Sequence, residues 1–269
     1  MEVLSSPTET KKTRVEWKTY LYLLLTAFAD TLIIELFNHK AFSDGLSSLW
    51  DFLSRRPLAF AVDVFLVLLT LLPGLFFRRR VFWCALLSAI WVACGGANGF
   101  IILNRMTPFT TADLTVLNTG LDTLPNYLST EYIVLLWIAV VVILVVMLLI
   151  FLKGPKSAQS PRNRIVSGIA ALAVGAAGLL GCAVTAFEQT QLSTVFSNLA
   201  IAYEDYGFPY CFLQTWLNKG IKLPAGYSER RMDDILEHVG EEAEAETKDV
   251  NVIFVQLESF MDPDMVDEL

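Results

Sequence analysis

Residues 132–152 have the sequence YIVLLWIAVVVILVVMLLIFL, 21 consecutive residues without a charged side chain. An α-helix of about 20 apolar residues is long enough to cross the hydrocarbon core of a bilayer. Hydrophobic residues make up 54% of the 269-residue chain, which is not the composition of an ordinary soluble domain. Four further segments have the same character, and the sequence therefore predicts five transmembrane helices: Tyr20–Phe37, Pro57–Phe77, Val81–Leu103, Tyr132–Leu152 and Ile165–Phe187.

The distribution of lysine and arginine predicts how these helices are oriented. The segment before the first helix, the hairpin Arg78–Arg80 and the connection between the fourth and fifth helices together hold 11 basic residues, whereas the opposite loops hold four. Basic residues in short loops are enriched on the cytoplasmic side. We therefore expect a cell-membrane protein with a cytoplasmic N-terminus at residues 1–19, and extracytoplasmic juxtamembrane helices and a linker at residues 188–249.

Charge and polar residues narrow the functional classes. Residues 229–269 hold 14 of the 28 acidic residues and three basic ones, so charge gives no reason to expect nucleic-acid binding. Asp30, Glu35 and Asp63 lie within predicted helices, where charge is expensive. They indicate either a polar cavity or, the favoured interpretation, carboxylates near the interface that are hydrated or paired with Arg55 or Arg56. The last three predicted helices contain no charged residue, which disfavours an ion-coupled transporter.

Glycines and loop residues predict local features of the membrane domain. Small residues around Gly95–Gly99 and Gly175–Gly181 are typical of closely packed helices. Arg105 follows the third helix at the membrane edge, where it either contacts a lipid head group or acts as an interfacial anchor. Gly207-Phe208-Pro209 interrupts two short helices that we expect to lie in the outer interface.

The linker is predicted to contain one more helix. Ser228 is a typical N-cap, and Gly240 is predicted to end the helix. Between them an apolar stripe recurs at helical spacing: Met232, Ile235, Leu236 and Val239.

Residues 250–257, VNVIFVQL, are typical of a β-strand buried on both faces, and Glu258 follows directly. A carboxylate at the end of such a strand can bind a hard divalent cation. The alternative is an ordinary acidic residue at a strand end. The strand predicts that an α/β domain begins at residue 250.

Taken in order, several motifs closely resemble the lipoteichoic acid synthase family. Glu35 with Asn38, followed by Arg56-Pro57, is similar to its first outer loop. The later motifs, in chain order, are Arg105-Met106-Thr107-Pro108-Phe109, Asp113-Leu114, Tyr206-Gly207-Phe208, Pro224-Ala225-Gly226-Tyr227-Ser228 and Asn251-Val252-Ile253-Phe254-Val255-Gln256-Leu257-Glu258-Ser259-Phe260. The resemblance covers essentially the whole chain.

The resemblance implies a membrane phosphoglycerol transferase with an extracellular sulfatase-like domain. Such enzymes move glycerophosphate from phosphatidylglycerol to a growing polymer through a threonine nucleophile and a manganese-type divalent cation (Mn²⁺ or Mg²⁺). Glu258 matches the first metal ligand. No catalytic residue is expected within the chain, because the threonine and the other ligands are expected after Leu269.

The expected fold is thus an all-α polytopic membrane domain at residues 20–187, followed by the linker and, at residues 250–269, the first strand of a truncated α/β sulfatase-like domain. The fragment alone is expected to be inactive. Two alternatives stay open. One is a phosphoethanolamine transferase or membrane sulfatase of the same superfold, and the other is a non-catalytic membrane anchor or partner-binding module.

The charge distribution predicts the side on which the linker lies. A cysteine introduced at position 240 of the membrane-embedded protein should react with an impermeant maleimide added from outside the cell. The control is a cysteine at Arg79 in the basic hairpin, which should react only after permeabilisation. Reaction of position 240 from the cytoplasmic side alone would contradict the topology.

Overall fold

The computed structural model describes residues 17–41, 43, 45–218 and 227–242. All regular elements in these residues are helical, with 3₁₀ turns at Leu72–Phe76, Asp113–Val116 and Leu124–Asn126. The α-helices are α1 Trp17–Asn38, α2 Ser47–Arg55, α3 Pro57–Leu71, α4 Arg80–Asn104, α5 Leu117–Thr123, α6 Thr130–Lys153, α7 Pro161–Glu188, α8 Leu199–Tyr206, α9 Phe208–Leu217 and α10 Glu229–Glu242. The chain divides into two compact units, Met1–Lys219 and Gly220–Leu269.

Among the described residues, five helices are long and apolar enough to cross a membrane. They are α1, α3 with the 3₁₀ turn that continues it to Phe76, α4, α6 and α7. The prediction of five membrane-type helices is therefore confirmed, with helix ends that differ from the predicted ones by a few residues.

Proline and serine explain where two of these helices begin. Pro57 and Pro161 are the first residues of α3 and α7. Proline suits this position because the first amides of a helix have no partner within the helix and the fixed φ is already helical. Ser160 precedes α7, and its hydroxyl accepts a hydrogen bond from the Asn163 amide at 3.3 Å.

Small residues allow the helices of the first unit to approach closely. On α4, a Cβ added at Gly95 would lie 3.0 Å from Ile34 of α1, and one at Gly99 would lie 2.9 Å from Phe37. Because any larger side chain would push these helices apart, the predicted packing role is confirmed at both positions.

Helices α3 and α7, which run antiparallel, also approach each other closely at glycines. A Cβ at Gly178 would lie 2.5 Å from the Phe65 ring, and one at Gly168 would lie 2.6 Å from the Phe76 ring. Gly175 lies between them and faces Leu72. As the residue number rises along α3, the number of the glycine that it contacts on α7 falls. These contacts define the register of the two helices as far as Phe76.

The second unit contains α10. Ser228 caps it as predicted, because its hydroxyl accepts a hydrogen bond from the Arg231 amide at 3.3 Å. The predicted end at Gly240 is wrong, since the helix continues to Glu242; glycine inside a helix costs about 1 kcal/mol and does not by itself end it. Met232, Ile235 and Leu236 of the predicted apolar stripe are exposed. The predicted strand and Glu258 lie outside the described residues.

Candidate functional site

The break between α8 and α9 lies against the membrane helices. Gly207 adopts φ +84°, a left-handed conformation that favours glycine. This turn directs α9 into the bundle, where Phe208 and Cys211 are fully buried. The predicted break is confirmed, but the two helices pack into the core of the unit rather than only along its surface.

Two buried carboxylates accept hydrogen bonds from the backbone amides at the start of α9. Phe208 N donates to Glu35 Oε1 at 2.8 Å, and Tyr210 N donates to Asp63 Oδ1 at 2.8 Å. Pro209 has no amide hydrogen, and Cys211 N donates to Gly207 O at 3.3 Å. Every amide of this first turn therefore has an acceptor, as buried backbone groups require. The positive end of the α9 dipole adds a favourable interaction with both carboxylates.

Gly207 lies between these carboxylates. A Cβ at this position would collide with Asp63 Oδ2 and would lie 3.1 Å from Glu35 Oε1. Asp63 Oδ2 is buried and has no hydrogen-bond donor among the described residues. Glycine is therefore required at position 207 for two reasons: the backbone is left-handed there, and the acids leave no space for a Cβ.

The favoured interpretation, in which the intramembrane acids are hydrated or paired with Arg55 or Arg56, is wrong. Glu35 and Asp63 are fully buried and bind backbone amides, as described above. Asp30, which is 5% exposed, accepts a hydrogen bond from the Ser88 hydroxyl at 2.6 Å. The amide donors and Ser88 lie closer to these acids than either arginine does.

The two arginines have other partners. Arg55 pairs with Asp51 on α2 at 2.9 Å. Arg56 Nη1 donates to Thr190 O at 2.6 Å, and Arg56 Nη2 lies 3.7 Å from Asp205 Oδ2. Arg56 therefore joins the start of α3 to the segment that follows α7 and to α8.

An asparagine pair connects α1, α4 and α8. Asn38 Nδ2 donates to Glu35 Oε2 at 2.9 Å and to Tyr203 O at 2.6 Å. Asn38 Oδ1 accepts from Asn98 Nδ2 at 3.0 Å. Asn98 Oδ1 in turn accepts from Phe109 N at 2.9 Å, and all three polar side chains are buried. The two asparagine side chains thus connect Glu35 by hydrogen bonds to the loop after α4.

We call Glu35, Asn38, Asp63 and Asn98, together with the first turn of α9 at Phe208–Cys211, the polar junction. Tyr203 closes it, because its hydroxyl donates to Phe109 O at 2.9 Å. Aromatic rings fill the space around it: Phe109 stacks on Phe212 with centroids 5.6 Å apart, and Phe208 stacks on Phe212 at 5.2 Å.

His39 lies at the edge of the polar junction. Its Nδ1 is 3.1 Å from Ser48 Oγ, and its Nε2 is 3.4 Å from Glu35 Oε2. The ring lies against Phe52 with centroids 4.9 Å apart. These contacts join α2 to the acid of α1.

The structure gives Arg105 a role in shaping the loop. Arg105 Nη2 is 2.8 Å from Asp113 Oδ1, while Nε donates to Thr107 O at 2.9 Å. Thr110 N donates to Asp113 Oδ2 at 2.7 Å. Burial raises the pKa of Asp113, but the bonds from Thr110 and Arg105 outweigh it, so the pKa lies below its ordinary value. Asp113 stays charged at neutral pH, and the loop is held closed around Arg105.

The side chain of Arg105 is 45% exposed. A head-group contact through this exposed part, which the sequence suggested, therefore stays a prediction. Any such contact would be made by a guanidinium that is already fixed in position by Asp113 and two backbone carbonyls.

Burial favours the neutral forms of Tyr203, Tyr210 and Cys211. Burial raises the pKa of Tyr210 to about 12, and it raises the pKa of Tyr203 further. Burial also raises the pKa of the Cys211 thiol well above its ordinary value, and nearby Asp63 and Glu35 add to the shift. A thiol in this state is a poor nucleophile. These side chains serve packing and hydrogen bonding, which makes the polar junction a structural and positioning site.

Sequence reasoning missed Asn98 and Tyr203. A signal for Asn98 was available, because a polar amide inside an apolar helix needs a partner. Nothing in the sequence marked Tyr203, whose backbone carbonyl and hydroxyl both act through long-range contacts.

Metal ligands do not assemble in the described part of the chain. There, no three His, Cys, Asp or Glu side chains come close enough to hold a metal ion. Glu258, the residue matched to a metal ligand, lies outside the described residues.

Comparison with known proteins gave no match to a family model, to a curated protein or to a solved structure.

The polar junction predicts a specific cost for a side chain at Gly207. Gly207→Ala should destabilise the unit by the strain of a positive φ, about 1–2 kcal/mol, and by overpacking, about 1–3 kcal/mol. Gly45 is the matched control, since it has the same φ of +84° but no atom within 4 Å of an added Cβ. Thermal unfolding in detergent measures both.

We expect a clear fall in Tm for Gly207→Ala and a smaller one for Gly45→Ala. Equal effects would show that the carboxylates do not crowd Gly207.

Proposed function

We propose that this chain is the membrane part of a phosphoglycerol transferase of the lipoteichoic acid synthase type. The activity would move glycerophosphate from phosphatidylglycerol to a cell-envelope polymer. The observation that carries the proposal is that four of the motifs on which the resemblance rests contact one another in the first unit, although they are spread over residues 35–208.

The contacts between the motifs are direct. Glu35 of the first motif binds the amide of Phe208 in the Tyr-Gly-Phe motif. Asn38 is linked through Asn98 to Phe109 in the motif after α4. Contact between motifs that lie far apart in the sequence supports the view that they match the family together and not by chance.

Arg56 connects the Arg56-Pro57 motif to the same region. Its guanidinium lies 5.6 Å from the centroid of the Tyr206 ring, next to its contacts with Thr190 and Asp205. A cation over an aromatic face adds about 0.5–1 kcal/mol at an exposed site. The first outer loop is thereby joined to the residue before Gly207.

The role that these contacts support is positioning. An enzyme that acts on a lipid head group must hold its reactive groups at a fixed height above the bilayer, because misplacement by about 1 Å is costly. The polar junction fixes the start of α9 on α1 and α3. In the proposal, it holds the segment from which the chain continues toward the linker and Glu258.

Glu258 would be one ligand of a divalent cation, which lowers the pKa of a hydroxyl nucleophile and neutralises phosphoryl charge. In the proposal the threonine nucleophile and the other ligands lie after Leu269. Residues 17–218 would then contribute anchoring and substrate positioning, which agrees with carboxylates that bind backbone amides.

Glu258→Ala in the complete gene product should abolish transfer. We expect release of diacylglycerol from labelled phosphatidylglycerol to fall by more than about 100-fold, because removal of a metal ligand costs more than the roughly 10–100-fold loss typical of its supporting residues. Manganese binding should weaken in parallel, while membrane insertion is unchanged. The control is Glu246→Ala, which removes a linker acid of the same charge.

Normal turnover in Glu258→Ala would contradict the assignment. Full activity of residues 1–269 alone would contradict the view that the nucleophile lies beyond them. Transfer of phosphoethanolamine instead of glycerophosphate would favour the alternative enzyme of the same superfold.

A further inference from the structure

Arginines lie at the opposite end of the bundle from the polar junction. The hairpin Arg78–Arg80 joins α3 and its 3₁₀ turn to α4, and Arg164 lies in the first turn of α7. The Phe76 ring contacts Gly168 of α7. Phe76 precedes Arg79 by three residues and Gly168 follows Arg164 by four, so the hairpin and the start of α7 are neighbouring segments.

The connection between α6 and α7 covers the same region. Ser157, which is 8% exposed, donates its amide to Arg78 O at 2.8 Å. The Arg79 guanidinium carbon lies 4.1 Å from the centroid of the Phe151 ring at the end of α6. We call the hairpin, the end of α6 and the first turn of α7 together the arginine pocket.

Three buried donors in the arginine pocket have no acceptor among the described residues: Arg79 Nη1, Arg164 Nε and Arg164 Nη1. A buried donor on a charged group is costly when it has no acceptor. The enrichment of basic residues in loops on one side of a membrane explains why arginines occur here. It does not explain why Arg79 and Arg164 have buried donors, because exposed side chains such as those of Arg78, Lys153 and Arg162 orient the helices equally well.

We infer that the arginine pocket binds a phosphate group, with the phosphodiester of an anionic phospholipid in the adjacent leaflet as its source. Arginine is the preferred side chain for phosphate because its planar group carries several donors. Basic pockets between transmembrane helices are a known setting for anionic head groups. The aromatic side chains Phe77, Phe82 and Trp83 surround the hairpin with apolar surface that suits acyl chains.

This site is separate from the proposed catalytic function. It lies at the end of the bundle that carries the basic hairpin, whereas Glu35 and Asp63 lie toward the other end. A lipid bound here would act as a fixed structural partner that compensates the inward-facing donors.

The test uses the purified full chain in detergent micelles. Its Tm is measured against increasing phosphatidylglycerol, phosphatidylcholine with the same acyl chains, or inorganic phosphate. A ligand that binds only the folded state raises Tm in proportion to its affinity. We expect phosphatidylglycerol to raise Tm at lower concentrations than phosphatidylcholine does.

Variants assign the effect to the pocket. Arg164→Gln and Arg79→Gln should each raise the half-maximal phosphatidylglycerol concentration by about tenfold or more, the loss expected for a charge-assisted bond. Arg162→Gln removes an exposed charge two residues away and should shift it far less. Without lipid, Arg164→Gln should unfold at the same temperature as the parent or higher, because it removes inward-facing charged donors.

An equal response to inorganic phosphate, lost in the same two variants, would keep the phosphate site and assign it to free phosphate. Equal affinities of Arg164→Gln and Arg162→Gln would overturn the inference. So would an equal response to both lipids, or a lipid-free Tm of Arg164→Gln well below that of the parent.

Discussion

The burial of Glu35 and Asp63 beside the first turn of α9 is the constraint on which the arrangement of the first unit depends. Two carboxylates in a membrane domain need donors, and the first turn of a helix has amides that need acceptors. The amides of Phe208 and Tyr210 donate to Glu35 and Asp63, each at 2.8 Å, so the donors and the acceptors are paired with each other. The pairing fixes α9 against α1 and α3, and it requires glycine at position 207, where the acids leave no room for a Cβ.

Further polar contacts connect the two acids to the rest of the unit. Asn38 and Asn98 form hydrogen bonds that reach the loop after α4, and the contact between Arg105 and Asp113 keeps that loop closed. A buried polar network favours one packing, since a shift that breaks its hydrogen bonds leaves donors or acceptors unpaired. Apolar helices alone can slide against each other, and the small-residue contacts of Gly168, Gly175 and Gly178 set only the α3–α7 register. The asparagines and acids determine where α8 and α9 attach.

The sequence was sufficient to predict the five membrane helices, because length and apolar composition determine them locally. It was also sufficient for the break at Gly207 and the cap at Ser228, which are local backbone features. It was not sufficient for the partners of Glu35 and Asp63. Local reasoning left them hydrated or paired with Arg55 or Arg56, whereas the donors that they bind lie 173 and 147 residues away. Long-range pairing of this kind carries no local signal. The role of Glu258 as a metal ligand stays a prediction, because this residue lies outside the described part of the chain.

Hydrogen exchange of the amides of Phe208 and Tyr210 in the membrane-embedded protein tests the central claim most directly. In the parent chain both amides should be protected as strongly as those inside α3. In Asp63→Ala the Tyr210 amide loses its acceptor and should exchange much faster, while Asp51→Ala, which removes an exposed acid, should leave it protected. Fast exchange of both amides in the parent chain, or unchanged protection of Tyr210 in Asp63→Ala, would contradict the account.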